Sequence, residues 1–309
     1  MFASLAAAGL VAACGSEDAP GAGAVPEGAV SVLATTTIWA DIAANVGCDG
    51  VAHVDTLMPP GTDPHAYEPS LRDRARIGDA DVIVANGLGL DAVLDDLVGH
   101  GTAVVHVGDH VTTLGSTPRG ADHHDDEHDE HEDDEHDPHI WFDPTRVAAT
   151  LPAIGDALVD AGADRAAVDA CVAAYTDELT TLDGDITALV DSLPQQRRSL
   201  VTNHHSLGYF ADRYGFTVIG TVIPSASSLA APSPADLEAL AHAIDDAGVP
   251  AIFAETQHAS TDTGALAARL GDVAVVTLQT DTLGAPQSAT ATYVDWLRTT
   301  AGQIVDALS

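Results

Sequence analysis

From Ala29 onward, short apolar runs rich in β-branched residues alternate with Ala-rich stretches in which apolar positions return every three or four residues. This alternation predicts βα units and a mainly parallel sheet, because parallel neighbours need a crossover between them. "AVSVLATT", "VAHVDTLM", "DVIVANG" and "TAVVHVG" read as strands, with "TIWADIAANVG", "SLRDRARIGDA" and "LDAVLDDLVG" as the helices between them. Pro144 to Leu193 reads as helix with one interruption at Gly162. The alternation then resumes, with "RSLVTN", "FTVIGTV", "PAIFAE" and "DVAVVTLQ" as strands and "HSLGYFADRYG", "SPADLEALAHAIDDAG", "TGALAARLG" and "TYVDWLRTTAGQIVDALS" as helices. The predicted fold is α/β with two lobes, residues 29–163 and 194–309, each holding a roughly four-stranded, mainly parallel sheet flanked by helices. A long rigid spine helix over 164–193 joins them, and the halves share no sequence repeat. Ligands of such sheets sit beyond the carboxyl ends of the strands, so loops from both lobes are expected to face one cleft.

Residues 1–28 break the pattern: an apolar run closes on Val11-Ala12-Ala13-Cys14-Gly15, and a Gly/Pro/Ala-rich spacer follows. This has the form of a lipoprotein signal and flexible linker, with Cys14 as the lipidated residue. No later apolar run is long enough to span a bilayer. The chain is therefore expected outside the cytoplasm, held by acyl chains to the outer face of the cell membrane or in the periplasm. Cys48 and Cys171 remain, an even pair that fits a disulfide in an oxidising compartment and equally fits two separate buried thiols.

Charge narrows the partners. The chain carries 47 Asp and Glu against 11 Arg, with no Lys, for a formal charge of -36. Such a surface repels nucleic acid and attracts small cations, and it also fits simple solvation of an exported protein. Ala121 to Asp137 holds 11 of the carboxylates and five histidines, His123, His124, His128, His131 and His136. Its like-charge density predicts a disordered loop, and its histidines a weak metal-recruiting surface.

Four other loops carry candidate chemistry at the strand ends. "PPGTDPHAYEPS" presents His65, "DPHIWFDP" presents His139, "NHHSLGYF" presents His204 and His205, and "QTDTLG" presents Asp281. Three imidazoles and one carboxylate make a four-coordinate shell suited to Zn(II), whereas Mn(II) favours more oxygen donors.

Those pieces, with "SPADLEAL" and "AIFAE" and in this order, make the chain resemble the ZnuA/TroA-type solute-binding lipoproteins of zinc and manganese ABC importers, from Ala29 to Ser309. The resemblance implies His65, His139, His204 and Asp281 as metal ligands; His204 rather than His205 stands six residues before Phe210. His205 falls where many relatives have Asp, and Glu68 and Glu255 lie near the same motifs; all three are expected to support the ligands from behind. Manganese binders of the family commonly carry Glu at the position of His204, so the imidazole points to zinc. The implied function is capture of Zn(II) as cargo by a monomer that delivers it to an ABC permease and its ATPase, with no enzymatic step. The alternatives are a Mn(II) or Fe(II) binder of the same family, a surface metal buffer or adhesin, and a zinc hydrolase. Against the last, Asp281 closes the position a catalytic water would need, and the chain has no H-E-x-x-H.

Overall fold

In the computed structural model the described residues are 28–94, 97–99, 102–115, 136–257 and 261–309. Cys14 and the loop histidines His123, His124, His128 and His131 lie outside them. The first half contains β1 (Val30–Ala34), α1 (Thr37–Val46), β2 (Ala52–Thr56), α2 (Leu71–Asp79), β3 (Val82–Ala85) and β4 (Ala103–His106). Two helices follow, α3 (Pro144–Asp160) and α4 (Arg165–Val190), then β5 (Ser199–Thr202), α5 (Gly208–Tyr214), β6 (Thr217–Thr221), α6 (Pro234–Ala247), β7 (Ala251–Glu255), α7 (Thr261–Leu270), β8 (Ala274–Leu278) and α8 (Tyr293–Leu308). Among the described residues all pairings between these strands are parallel. The sheet orders are β2-β1-β3-β4 and β6-β5-β7-β8, so the two halves repeat one topology.

Side chains alternate across each sheet, and both faces are apolar because other elements pack on each of them. In β1 and β3, Val32 and Val84 join the central core while Leu33 and Ile83 pack with Leu57 and Ile77 beneath α2. In the second sheet Leu200 and Phe253 face the centre, and Val201 and Ile252 face α6 and α7. The central core is continuous from one sheet to the other: Trp39, Leu151, Leu179, Phe210 and Trp296 all belong to it. Helix α4 lies in this layer, against α1 and α3 on one side and α8 on the other. It is capped by Asp164, which accepts from the Ala167 N–H at 2.9 Å. The break before it falls at Gly162, whose φ of +110° is a conformation that side chains rarely adopt.

Two expectations need correction. Where "LDAVLDDLVG" reads as a helix, its described residues show one 3₁₀ turn, Ala92–Leu94. The Asp91 carboxylate is committed to the preceding loop, accepting from the Asn86 and Gly87 N–H groups at 2.6 and 2.9 Å. Gly87, Leu88 and Gly89 all have positive φ there, and so short a segment entered from such a loop does not sustain a helix on its own. Helix α5 starts at Gly208 rather than His205, because the backbone just before it is committed to a turn. There the His205 N–H donates to Ser225 O, the Ser206 N–H to His204 O, and the Thr202 hydroxyl to His204 O.

Among the described residues no helix is long and apolar enough to cross a membrane. Cys48, just beyond α1, is disulfide-bonded to Cys171 on α4, closing a sequence separation of 123 residues. Bridging so long a loop restricts the unfolded chain, so replacing both cysteines by Ser should cost up to about 5 kcal/mol. Equilibrium urea unfolding of the metal-free protein checks this; an unchanged midpoint would show that the bond contributes nothing to stability.

Candidate metal centre

The buried polar residues gather at the carboxyl ends of the strands. Thr35, Thr36, Asn86, Asn203, His204, Glu255 and Asp281 are all there and all buried. In each sheet this end includes the gap between the first and third strands where the chain reverses its direction of travel across the sheet, the usual location of a ligand site. In the second sheet that gap lies between β5, which leads into His204, and β7, which ends on Glu255.

The local sequence Asp-Pro-His occurs twice and does the same work each time. At Asp63-Pro64-His65 the Asp63 carboxylate accepts the His65 N–H at 2.9 Å. At Asp137-Pro138-His139 the Asp137 carboxylate accepts the His139 N–H at 3.0 Å. Each is a side-chain turn that fixes the backbone beneath the imidazole. The second is held further from three directions. Tyr209 donates its hydroxyl to Asp137 O at 2.7 Å, Asn86 donates its amide to Pro138 O at 3.0 Å, and Tyr293 donates its hydroxyl to Trp141 O at 2.8 Å. The Trp141 indole N–H in turn donates to Thr280 O at 3.0 Å, tying this segment to the residue before Asp281.

These supports bring three imidazole nitrogens together. His139 Nε2 is 3.3 Å from His65 Nε2 and 3.0 Å from His204 Nε2. The other ring nitrogens of the two buried histidines are occupied: His139 Nδ1 is 2.7 Å from Asp137 and His204 Nδ1 is 2.8 Å from Glu255. A carboxylate only accepts, so both Nδ1 atoms carry a proton, and in the neutral ring each Nε2 turns a lone pair inward. Metal–nitrogen bonds of about 2.0–2.1 Å in a tetrahedron put neighbouring nitrogens about 3.3 Å apart, close to the spacing seen here. Asp281 is buried, its Oδ1 has no hydrogen-bond partner, and it groups with His204 and Glu255. The candidate donors thus form two sets that share His204.

Electrostatics show what the site lacks. Burial, reinforced by the neighbouring histidines, drives His139 well below the ordinary imidazole pKa. Burial also opposes a charge on His204, but Glu255 and then Asp281 outweigh it and lift the ring to about 9. Burial and then Glu255 raise Asp281 to about 7, and burial raises Asp137 to about 7. In the absence of metal a proton is thus retained where a cation would sit.

Of the supporting residues expected, Glu255 meets His204 and is itself held by the Ser206 hydroxyl at 3.1 Å. Glu68 is exposed and bonds neither His139 nor His204, whose Nδ1 atoms are taken by Asp137 and Glu255. His205 is buried behind Asp137, Nε2 to Oδ2 3.8 Å, and burial holds it down at about 4. Gly208 permits this approach, since a Cβ there would lie 2.6 Å from the Asp137 carboxylate. Asp137 is the functional residue that its sequence context conceals, because it closes the acidic run. Its signal is its place two residues before a histidine, as for Asp63. His136 is exposed, its Nδ1 2.9 Å from the Thr113 hydroxyl.

Because Asp137 orients His139, Asp137→Asn should weaken metal binding about 10- to 100-fold, as competition against a chromophoric chelator would show. The metal-free site also makes stability depend on pH. The raised His204 stabilises the fold fully below about 6.5, the unfolded value, and that contribution is lost as pH rises through about 9. Raised Asp281 acts in the same direction at lower pH, its contribution being lost between about 3.8 and about 7. Metal-free protein should therefore lose stability between about pH 6.5 and about 9, and Glu255→Gln should flatten that slope in denaturant titrations.

Comparison with known proteins places this arrangement among metal-binding transport components. The family described as "Zinc-uptake complex component A periplasmic", ZnuA, matches residues 32–307. The manganese-binding lipoprotein MntA of Halalkalibacterium halodurans is 28% identical over 301 residues, covering 97% of this chain and 95% of that one. The zinc-binding protein TroA of Treponema pallidum is 30% identical over 311 residues, covering 97% and 94%. The solved structure of the periplasmic zinc-binding protein TroA superimposes with a TM-score of 0.80 at 28% identity, over 91% of this chain and all of that one.

Proposed function

We infer from its membership of the ZnuA family, to which this chain belongs, that His65, His139, His204 and Asp281 together capture one Zn(II) ion outside the cytoplasm and hand it to an ABC permease. The family's members are metal-binding solute-binding proteins for zinc, manganese or iron and are not enzymes. The choice of zinc rests on one observation: three imidazole Nε2 atoms converge, with 3.0 and 3.3 Å between the successive pairs. A nitrogen-rich shell of this kind favours Zn(II) over the oxygen-seeking Mn(II).

In this reading residues 29–163 and 194–309 are the two jaws and 164–193 the spine. The apolar core continuous between the sheets permits a small tilt and local loop movement rather than a wide hinge. The Asp63 carboxylate accepts from the Ser228 hydroxyl at 2.8 Å, linking the His65 loop to the second half. Release then requires only that this loop be drawn aside, or that protons displace the ion from the imidazoles. Lipidation at Cys14 would tether a monomer beside its permease, and the histidines of 121–137 would raise the local metal concentration; the sequence supports both.

The test is metal titration by chelator competition. Wild type should hold one Zn(II) tightly, and His139→Ala should lose at least about a thousandfold in affinity, as expected when a buried ligand of a four-coordinate site is removed. Tight binding that survives loss of His65, His139 and His204 together would overturn the site. Preference for Mn(II) or Fe(II) at equal free metal would overturn the choice of zinc while leaving the site intact.

A further inference from the structure

Leu71 and Leu229 are the two most exposed large apolar side chains among the described residues, at 85% and 62%. Both border the loop that carries His65. Leu71 opens α2 just beyond that loop, and Leu229 follows Ser228, whose hydroxyl donates to the Asp63 carboxylate. Tyr67, between His65 and α2, packs on the cluster that holds Ile77 of α2. Burial and then Asp73 of the same helix hold the Tyr67 hydroxyl up at about 12. His65 is half-buried, whereas His139 and His204 are fully buried. The candidate imidazole nearest the surface is therefore the one flanked by exposed apolar side chains.

Helix α2 also carries charge opposite in sign to most of the chain. Three of the 11 arginines, Arg72, Arg74 and Arg76, fall within its nine residues. Arg76 is tied to the end of β2, donating to Thr56 O at 2.6 Å. The side chains of Arg72 and Arg74 are exposed and bond neither a carboxylate nor a carbonyl, whereas every other described arginine bonds one or the other. With 47 carboxylates in the chain, intramolecular pairing leaves these two aside. Asp73, the acid between them, is occupied by the Ser70 hydroxyl at 2.6 Å and the Ser70 N–H at 2.9 Å. Leu71 and Arg74 stand three residues apart and so share a helix face. An exposed leucine beside unpaired arginines is surface suited to a protein contact rather than to solvation alone.

We propose that Leu71, Arg72 and Arg74, with Leu229 beside the His65 loop, dock a carboxylate-bearing external loop of the permease. This rests on the transport function inferred above and adds the contact surface and the charge of the partner that fits it. Elsewhere the acidic surface repels such a loop, so the patch orients the encounter with the His65 loop foremost. An anionic bilayer is a poorer occupant, because a flat charged surface meets the field of the whole chain, formally -36, rather than that of one helix. Docking against α2 sets the partner beside the half-buried imidazole, on the loop whose displacement frees the ion.

The experiment follows ATP hydrolysis by the permease–ATPase complex in phosphatidylcholine nanodiscs as zinc-loaded protein is titrated in, with Zn(II) affinity measured in parallel. Wild type should stimulate hydrolysis with a half-saturating concentration that rises with salt. Arg72→Glu combined with Arg74→Glu should raise that concentration at least about tenfold, and Leu71→Ser at least about threefold, with Zn(II) affinity and thermal unfolding unchanged. Arg72→Lys combined with Arg74→Lys, which keeps the charge, should retain most of the response. A double Glu variant that stimulates like wild type overturns the docking surface and leaves the transport function standing. No stimulation by zinc-loaded wild type overturns the transport function and the docking surface with it. Flotation with phosphatidylglycerol vesicles tests the bilayer: wild-type binding that the double Glu variant loses, while its stimulation of hydrolysis stays intact, assigns the arginines to the membrane and also overturns the proposal.

Discussion

Three imidazole lone pairs aimed at one small buried volume repel each other unless a positive charge lies between them. The molecule is built to hold that unfavourable arrangement. Asp137 and Glu255 fix the two buried rings by taking their Nδ1 protons in hydrogen bonds, at 2.7 and 2.8 Å, so that neither ring can turn its lone pair away. Behind them the Tyr209, Asn86 and Tyr293 side chains immobilise the carbonyls of the segment that carries His139. In the metal-free site the neighbouring carboxylates hold a proton on His204, and burial with Glu255 raises Asp281.

Holding such a site requires that the two halves be fixed relative to one another. The continuous apolar layer does this: Phe142 from the His139 segment packs against Trp296 of α8, ring centroids 5.2 Å apart, and both belong to the same core. Helix α4 runs through that layer, and the Cys48–Cys171 bond fastens it to the end of α1. Polar cross-links lie nearer the opening, where Thr37 Oγ1 and Thr282 Oγ1 are 3.1 Å apart and the Gly61 N–H donates to Thr282 at 3.1 Å. A packed apolar centre with a hydrogen-bonded rim leaves loops at the rim freer to move than the strands of the two sheets.

The acidic composition acts at longer range. A formal charge of -36 concentrates cations near the surface without distinguishing among them. Selection falls to donor chemistry, which is nitrogen-rich and buried at the strand ends.

The strands, their parallel sense and most of the helices between them are readable in the sequence because side-chain periodicity is local, and so is the placement at strand ends of the loops that carry His65, His139, His204 and Asp281. Local pattern misleads where contacts distant in the chain override it. Leu90 to Gly99 has helical spacing, but Asp91 is committed to the Asn86 and Gly87 N–H groups, and the described residues of the segment show only the 3₁₀ turn Ala92–Leu94. Glu68 sits in a ligand motif yet is exposed, while Asp137, hidden in a run of acids, supports His139. The pairing of Cys48 with Cys171 and the meeting of His65, His139 and His204 are likewise distances between segments far apart in the chain. The amino-acid sequence determines what each residue can donate and which face it takes; only the packing of the two sheets on one central layer decides which donors meet, because separation in space is set by tertiary contacts and not by local periodicity.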